Sequence, residues 1–256
     1  MQLKEPWEVN LMRQSGGRLA EVAALVREQV RAGISTLELD EVAEVAIRAR
    51  GALPSFKGYR PGGAGVAFPR SICASINEEV VHGIPGERLL LAGDVVSLDF
   101  GLVFGGYHAD MAFSVAVGEV PDAVRTLLDA TEQSLYEGVS RAVVGNRVGD
   151  IGSAIEARVS PFRFGVIRDY VGHGIGRALH EAPSVPNFGR AGQGQLLKEG
   201  LCIAIEPMVT LGGYKTRVSK DGWTVVTADG SVSAHFEHTV AITARGPEIL
   251  TVLAAA

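Results

Sequence analysis

Four segments of this chain read as β-strands that each carry one carboxylate on a face of small residues, and no other feature limits the available folds so much. Side chains alternate across a strand. Asp99 therefore shares its face with Ser97 and Gly101 while Leu98 and Phe100 point away, and Asp110 lies with Ala112 and Ser114 opposite Met111, Phe113 and Val115. By the same alternation Glu206 belongs with Ala204 and Cys202, and Glu237 with Thr239 and Ala241. An acid set in an apolar strand costs on the order of several kcal/mol of desolvation unless something neutralises it. None of the four segments contains Lys or Arg. Divalent cations are then the natural counter-charge, because hard ions take oxygen ligands and two of them balance four carboxylates.

The flanking sequence is helical. From Trp7 to Arg31 apolar residues recur at three- and four-residue steps, and the pattern ends at Gly33. Ser35 and Glu38 form a capping-box pattern that opens a second helix running through Arg50. Strands around Val95 to Val103 and Met111 to Val117, joined by Phe104-Gly105-Gly106-Tyr107, read as a hairpin. Further helices are predicted from Pro121 to Val143 and from about Asp150 to Val159. The stretch 33–44 echoes 145–156, with Glu38 over Asp150 and Glu44 over Glu156, a weak internal repeat. No linker divides the chain, so a single domain over 1–256 is expected.

Three histidines stand in settings suited to chemistry. His173 sits in Gly172-His173-Gly174-Ile175-Gly176, where the near absence of side chains lets an ion or substrate approach the backbone. It is the candidate nitrogen ligand beside the four acids. His82 lies in a His-Gly-Ile-Pro run and His180 precedes Glu181. His108, His235 and His238 read as ordinary core or surface residues.

A net charge of −5 disfavours tight binding to a phosphate backbone, making nucleic acid an unlikely primary partner. No apolar run reaches the length of a membrane span and the N-terminus lacks the apolar core of a signal peptide, so a cytoplasmic protein is expected. Cys73 and Cys202 show no metal or redox spacing, which fits a reducing compartment.

Together, Asp99, Asp110, His173, Glu206 and Glu237, with His82 following Ser75-Ile76-Asn77-Glu78 and with His180 after Gly-His-Gly-Ile-Gly, resemble the type I methionine aminopeptidases over essentially the whole chain. The resemblance implies the α/β pita-bread fold, with two pseudo-symmetric halves (about 1–120 and 121–256) and a central curved antiparallel sheet covered by helices. It implies a hydrolase that removes N-terminal methionine from peptides and nascent chains, using two divalent ions (Mn, Fe, Co or Zn) to activate a hydroxide. Asp99, Asp110 and Glu237 would hold one ion, and Asp110, His173, Glu206 and Glu237 the other. Glu206 would also shuttle a proton, His180 would stabilise the oxyanion and His82 would contact the scissile amide. Phe56, Tyr59, Cys73 and Trp223, with both histidines, would form the methionine pocket. A monomer is implied, and ribosome contact is compatible with the resemblance. Two departures sit beside that pocket: Leu179 stands where many relatives carry an aromatic, and the run 60–67 is longer than the usual loop.

The nearest rival enzyme is an X-Pro aminopeptidase or prolidase of the same fold, but those carry a large domain ahead of the catalytic half and the stretch before Asp99 is short. Type II methionine aminopeptidases insert a helical subdomain between the second histidine and the next glutamate, whereas Glu206 follows His180 closely. A non-catalytic peptide- or RNA-binding relative would be expected to have lost some of the ligands that are all present here.

Overall fold

The computed structural model describes residues 1–60 and 65–253. Two helices open the chain, α1 (Pro6–Gln29) and α2 (Thr36–Ala49), followed by β1 (Leu53–Pro54), β2 (Ile72–Ile76), β3 (Glu79–Val81), β4 (Val95–Phe104) and β5 (Tyr107–Ala116). A second helical pair, α3 (Asp122–Ser140) and α4 (Val148–Val159), precedes β6 (Gly165–Val166), β7 (Gly172–Gly174), β8 (Glu181–Val185), β9 (Cys202–Ile205) and β10 (Met208–Thr210). The chain then forms β11 (Thr216–Val218), β12 (Val225–Thr227), β13 (Ser233–His235), β14 (Glu237–Thr243) and β15 (Gly246–Ile249). No described helix is long and apolar enough to cross a membrane.

The helices begin where their caps dictate. Pro6 occupies the first turn of α1, where its missing N–H costs nothing. At α2 the predicted capping box forms in both directions: Glu38 N donates to Ser35 Oγ at 3.1 Å and Ser35 N donates to Glu38 Oε2 at 2.8 Å. The third helical position of α4 repeats the device, with Arg147 N donating to Asp150 Oδ2 at 2.7 Å. The predicted hairpin is longer than its alternation alone suggested, because Gly105 and Gly106 both take positive φ (57° and 82°) and turn the chain in two residues.

A curled antiparallel sheet of nine strands carries both halves of the chain, in the order β1-β4-β5-β14-β9-β7-β8, with β2 also on β4 and β15 also on β14. The pairing of Leu98 with Phe113 and of Phe100 with Met111 puts the apolar face of the hairpin into the main core, against Leu19, Val22 and Val26 of α1 and Leu39 and Ile47 of α2. The opposite face carries Ser97, Asp99, Asp110 and Ser114. This α/β architecture with a curled sheet under paired helices is the pita-bread fold, as expected from the resemblance.

The packing of α1 on the chain's end is close enough to be tested. A Cβ at Gly16 would lie 2.1 Å from the Leu250 carbonyl oxygen, whereas one at the next residue, Gly17, meets nothing within 4 Å. Gly17→Ala is expected to stabilise by up to about 1 kcal/mol through helix propensity. Gly16→Ala is expected to destabilise by about 1–3 kcal/mol despite the same propensity gain. Urea unfolding of the two variants checks this; equal shifts would contradict the packing.

Candidate metal centre

The two aspartates come from the face of the β4–β5 hairpin turned away from the helices, where Asp99 lies opposite Ala112 and Asp110 opposite Gly101. Both cross-strand partners are small, and at Gly101 the Phe56 ring takes the place a Cβ would fill, 2.6 Å from it. Asp110 is locked to β14 by a reciprocal pair: its N–H donates to Thr239 Oγ1 at 2.9 Å, and that hydroxyl donates to the Asp110 carbonyl at 2.8 Å. Glu237 opens β14 opposite Ala112, which places it beside the hairpin.

Glu206 differs from the alternating pattern expected for it. Strand β9 ends at Ile205, and Glu206-Pro207 forms the corner before β10, which belongs to another sheet. Proline has no N–H to extend the ladder, and Asn187 Nδ2 holds the corner by donating to the Glu206 carbonyl at 2.9 Å. His173 lies between two glycines that could not be replaced without shifting strands: a Cβ at Gly172 would meet the Ala204 oxygen at 2.3 Å, and one at Gly174 the Ala182 oxygen at 2.4 Å. Its Nδ1–H donates to the Gly174 carbonyl at 2.9 Å, leaving the Nε2 lone pair for the cavity.

These side chains converge on one cavity of about 340 Å³. His173 Nε2 stands 3.5 Å from Glu206 Oε1 and 3.8 Å from Asp110 Oδ2. Two triads of potential ligands share Glu237: Asp110, His173 and Glu237 in one, Glu206, His235 and Glu237 in the other. Asp99 is within hydrogen-bond reach of Asp110. Among the described residues no Lys or Arg pairs with any of the four acids, and Asp99 Oδ1, Asp110 Oδ1, Glu237 Oε1 and His235 Nε2 are buried with no hydrogen-bond partner. Orphaned acceptors this close cost free energy that a bound cation would recover, so the donor set fits divalent metal.

The electrostatics agree. Burial pushes Asp99 up to about 7, and burial followed by mutual repulsion holds Asp110, Glu206 and Glu237 well above the usual carboxylate range. Burial, and then the neighbouring His180, lowers His173 to about 3 and His82 to about 4, so both imidazoles are neutral at physiological pH.

The rest of the cavity wall is apolar and aromatic. Phe56, Tyr59, Cys73, His82, His180 and Trp223, all expected at the pocket, line it. His82 adopts φ 60° and its ring lies edge-on to Tyr170 and Trp223, with centroids 5.8 and 6.2 Å away. The Tyr59 hydroxyl meets His180 Nδ1 at 2.6 Å, and the His180 ring is 4.3 Å from that of His173. Phe68, Tyr170 and Leu179 also line the cavity. Phe68 and Tyr170 sit in loops whose placement no local pattern announces. Of the run 60–67, residues 61–64 lie outside the described residues.

Of the histidines read as ordinary, His108 meets Ser55 Oγ at 2.8 Å and His238 meets Thr251 Oγ1 at 2.9 Å. His235 overturns its reading. It is 2% exposed, faces the cavity and stands 3.9 Å from both Glu206 Oε2 and Glu237 Oε2. Its position two residues before Glu237 is the signal that could have found it.

Residues 10–244 match the family model for metallopeptidase family M24. The chain is 49% identical to the methionine aminopeptidase of Clostridium perfringens over 251 residues, covering 98% of each. It superposes on the crystal structure of the methionine aminopeptidase of Thermotoga maritima with a TM-score of 0.94 at 40% identity, covering 98% of this chain and 99% of that one. The methionine aminopeptidase of Rickettsia prowazekii gives 0.94 at 37% identity, covering 98% of this chain and all of that one. The prolidase of Pyrococcus furiosus shares the fold at 20% identity, and this chain spans 66% of its length.

The raised Asp99 pKa has a signed consequence. Its protonated form contributes stability that is full below the ordinary value of 3.8 and is lost as pH rises through about 7. In chelator, Asp99→Asn is expected to exceed the parent in stability at pH 8 by on the order of 1–3 kcal/mol, the gap closing towards pH 4. Denaturation curves at several pH values test this; a pH-independent gap would contradict it.

Proposed function

The chain belongs to metallopeptidase family M24 and, within it, to the methionine aminopeptidases, and on that premise we propose that it removes N-terminal methionine from peptides and newly made proteins with two divalent ions. The observation that carries this reading is the meeting of Asp99, Asp110, His173, Glu206 and Glu237 at one cavity whose remaining wall is apolar. Asp99, Asp110 and Glu237 would hold one ion, and Asp110, His173, Glu206 and Glu237 the other. Mn, Fe, Co and Zn all suit this oxygen-rich set with one imidazole. Such ions supply a water with a lowered pKa and Lewis acidity towards the peptide carbonyl.

The chain's own residues then divide the work. The substrate's free α-amine binds near Asp99, which accounts for a requirement for an unblocked N-terminus. Tyr59 O–H donating to His180 Nδ1 puts the proton on Nε2, from which it is donated to the carbonyl oxygen as negative charge develops there. His82 contacts the scissile amide. Glu206 accepts a proton from the attacking water and delivers it to the departing amine as the C–N bond breaks. The thioether of methionine suits Phe56, Tyr59, Phe68 and Trp223, since sulfur is favoured near aromatic edges, while Cys73 and Leu179 complete the slot. Leu179 makes this part of the wall aliphatic.

The same reading covers organisation. Gly33 N donates to Leu90 O at 2.8 Å and Gly145 N to Leu197 O at 3.1 Å; Gly93 N donates to Val117 O at 2.7 Å and Gly200 N to Ile242 O at 2.9 Å. These paired contacts, with the paired caps at Glu38 and Asp150, support one domain built from two duplicated halves, about 1–120 and 121–256. A cytoplasmic monomer that meets its substrates as they leave the ribosome fits the activity.

Purified protein is expected to release methionine from Met-Ala-Ser, to lose that activity on chelation and to regain it with Mn²⁺ or Co²⁺. Silence with every divalent ion, or faster cleavage of X-Pro peptides, would refute the reading. Glu206→Gln is expected to lower kcat by about 10²–10⁴-fold with cooperative unfolding preserved. Near-parental turnover in that variant would remove Glu206 from its role.

A further inference from the structure

His235 is held as firmly as the five residues already discussed. Its N–H donates to Ser114 Oγ at 2.8 Å, and the Ser114 hydroxyl donates to its carbonyl at 2.9 Å. Strand β13 pairs His235 with Met208, just beyond the Glu206-Pro207 corner, and Phe236 separates it from Glu237. The ring is 2% exposed, and Nε2 has no hydrogen-bond partner.

The distances say what that nitrogen is for. It stands 3.9 Å from one oxygen of Glu206 and 3.9 Å from one of Glu237. Hydrogen bonds to carboxylates are about 2.7–3.2 Å long, so neither is one. Two ligands each about 2.1 Å from a common ion are about 3.0 Å apart at a right angle and about 4.2 Å apart when opposed. The 3.9 Å spacing lies between these limits, as do the 3.5 and 3.8 Å separations of His173 from its two carboxylates, so each pair is open to a shared ion at an angle wider than a right angle. Each buried imidazole thus faces two carboxylates across the width of an ion.

We propose that His235 is a sixth metal-ligating residue, lending Nε2 to a divalent cation that it shares with Glu206 and Glu237. The proposal rests on the reading above that the cluster binds ions, and extends it. A second imidazole shifts the donor set from oxygen-rich towards mixed nitrogen and oxygen, which favours Co²⁺ and Zn²⁺ over Mg²⁺ and Ca²⁺.

The test uses the full chain stripped by chelator. Titration calorimetry with Co²⁺ and the visible spectrum of the Co²⁺ form are compared for the parent, His235→Ala, His235→Gln and His173→Ala, with unfolding curves confirming that each is folded. Glutamine keeps a hydrogen-bonding group near the carboxylates but lacks the imidazole nitrogen. Both His235 variants are expected to weaken one class of ion site at least tenfold and to alter the Co²⁺ spectrum. In the parent, histidine ¹⁵N spectra are expected to show the Nε2 signals of both His173 and His235 moving on addition of Zn²⁺. Parental affinity and spectrum in His235→Gln, or movement of the His173 signal alone, would overturn the proposal. Failure of the parent to bind any ion would instead overturn the reading of the whole centre.

Discussion

Four carboxylates share one largely buried cavity without a Lys or Arg among the described residues to balance them, and the rest of the architecture is organised around that repulsion. Left alone, such a group must hold protons far above the ordinary carboxylate range, as the upward shifts of all four show. A fold that keeps them together has to gain elsewhere what this arrangement costs. Much of that gain lies on the reverse face of the same hairpin, where Leu98, Phe100 and Phe113 are buried under α1 and α2. One strand pair therefore supplies apolar burial on one side and two of the four carboxylates on the other.

Precision at the cluster comes from backbone constraint more than from side-chain packing. Asp110 is tied to β14 by two hydrogen bonds through one threonine, Glu206 is set at a proline corner braced by Asn187, and His173 is squeezed between glycines with no room for a Cβ. Each device restricts where a ligand atom can travel. A constellation that must seat ions needs that restriction, since loosely held ligands would relax away from one another's charge.

Local rules carried the reading of the sequence a long way. The three- and four-residue apolar spacing, the Ser35–Glu38 capping box, the diglycine turn and the period of two placed the first helices, the hairpin and the faces bearing Asp99 and Asp110, because each depends on residues a few positions apart. The placement of Glu206 and His235 depends on long-range register. Alternation continued past Ile205 gave Glu206 a strand position, when the proline after it turns the chain into another sheet. His235 looked unremarkable as a lone histidine, although its spacing from Glu237 was the same two residues that the acidic strands had made informative. Phe68 and Tyr170 reach the cavity from loops whose course is set by tertiary contacts.

The cavity's unbalanced acids contrast with a balanced pair just outside it. Lys4, buried at 6% exposure, donates to Glu181 Oε2 at 2.6 Å, and Glu181 Oε1 accepts from Ala178 N–H at 3.2 Å. Glu181 follows His180 directly, and Lys4 is itself anchored by its N–H donating to the Gly200 carbonyl at 2.7 Å. A Cβ at Gly176 would lie 2.3 Å from the Lys4 side chain, so the lysine fills the space beneath the turn. The segment that leads into α1 thereby grips the loop bearing His180 from behind, while Tyr59 fixes the ring from the front. Burying an ion pair gives little net stability when both charges are paired and solvated only by each other. Its directional hold on a short turn is the more economical account of a lysine at that position, since the cavity's four carboxylates have no such partner among the described residues.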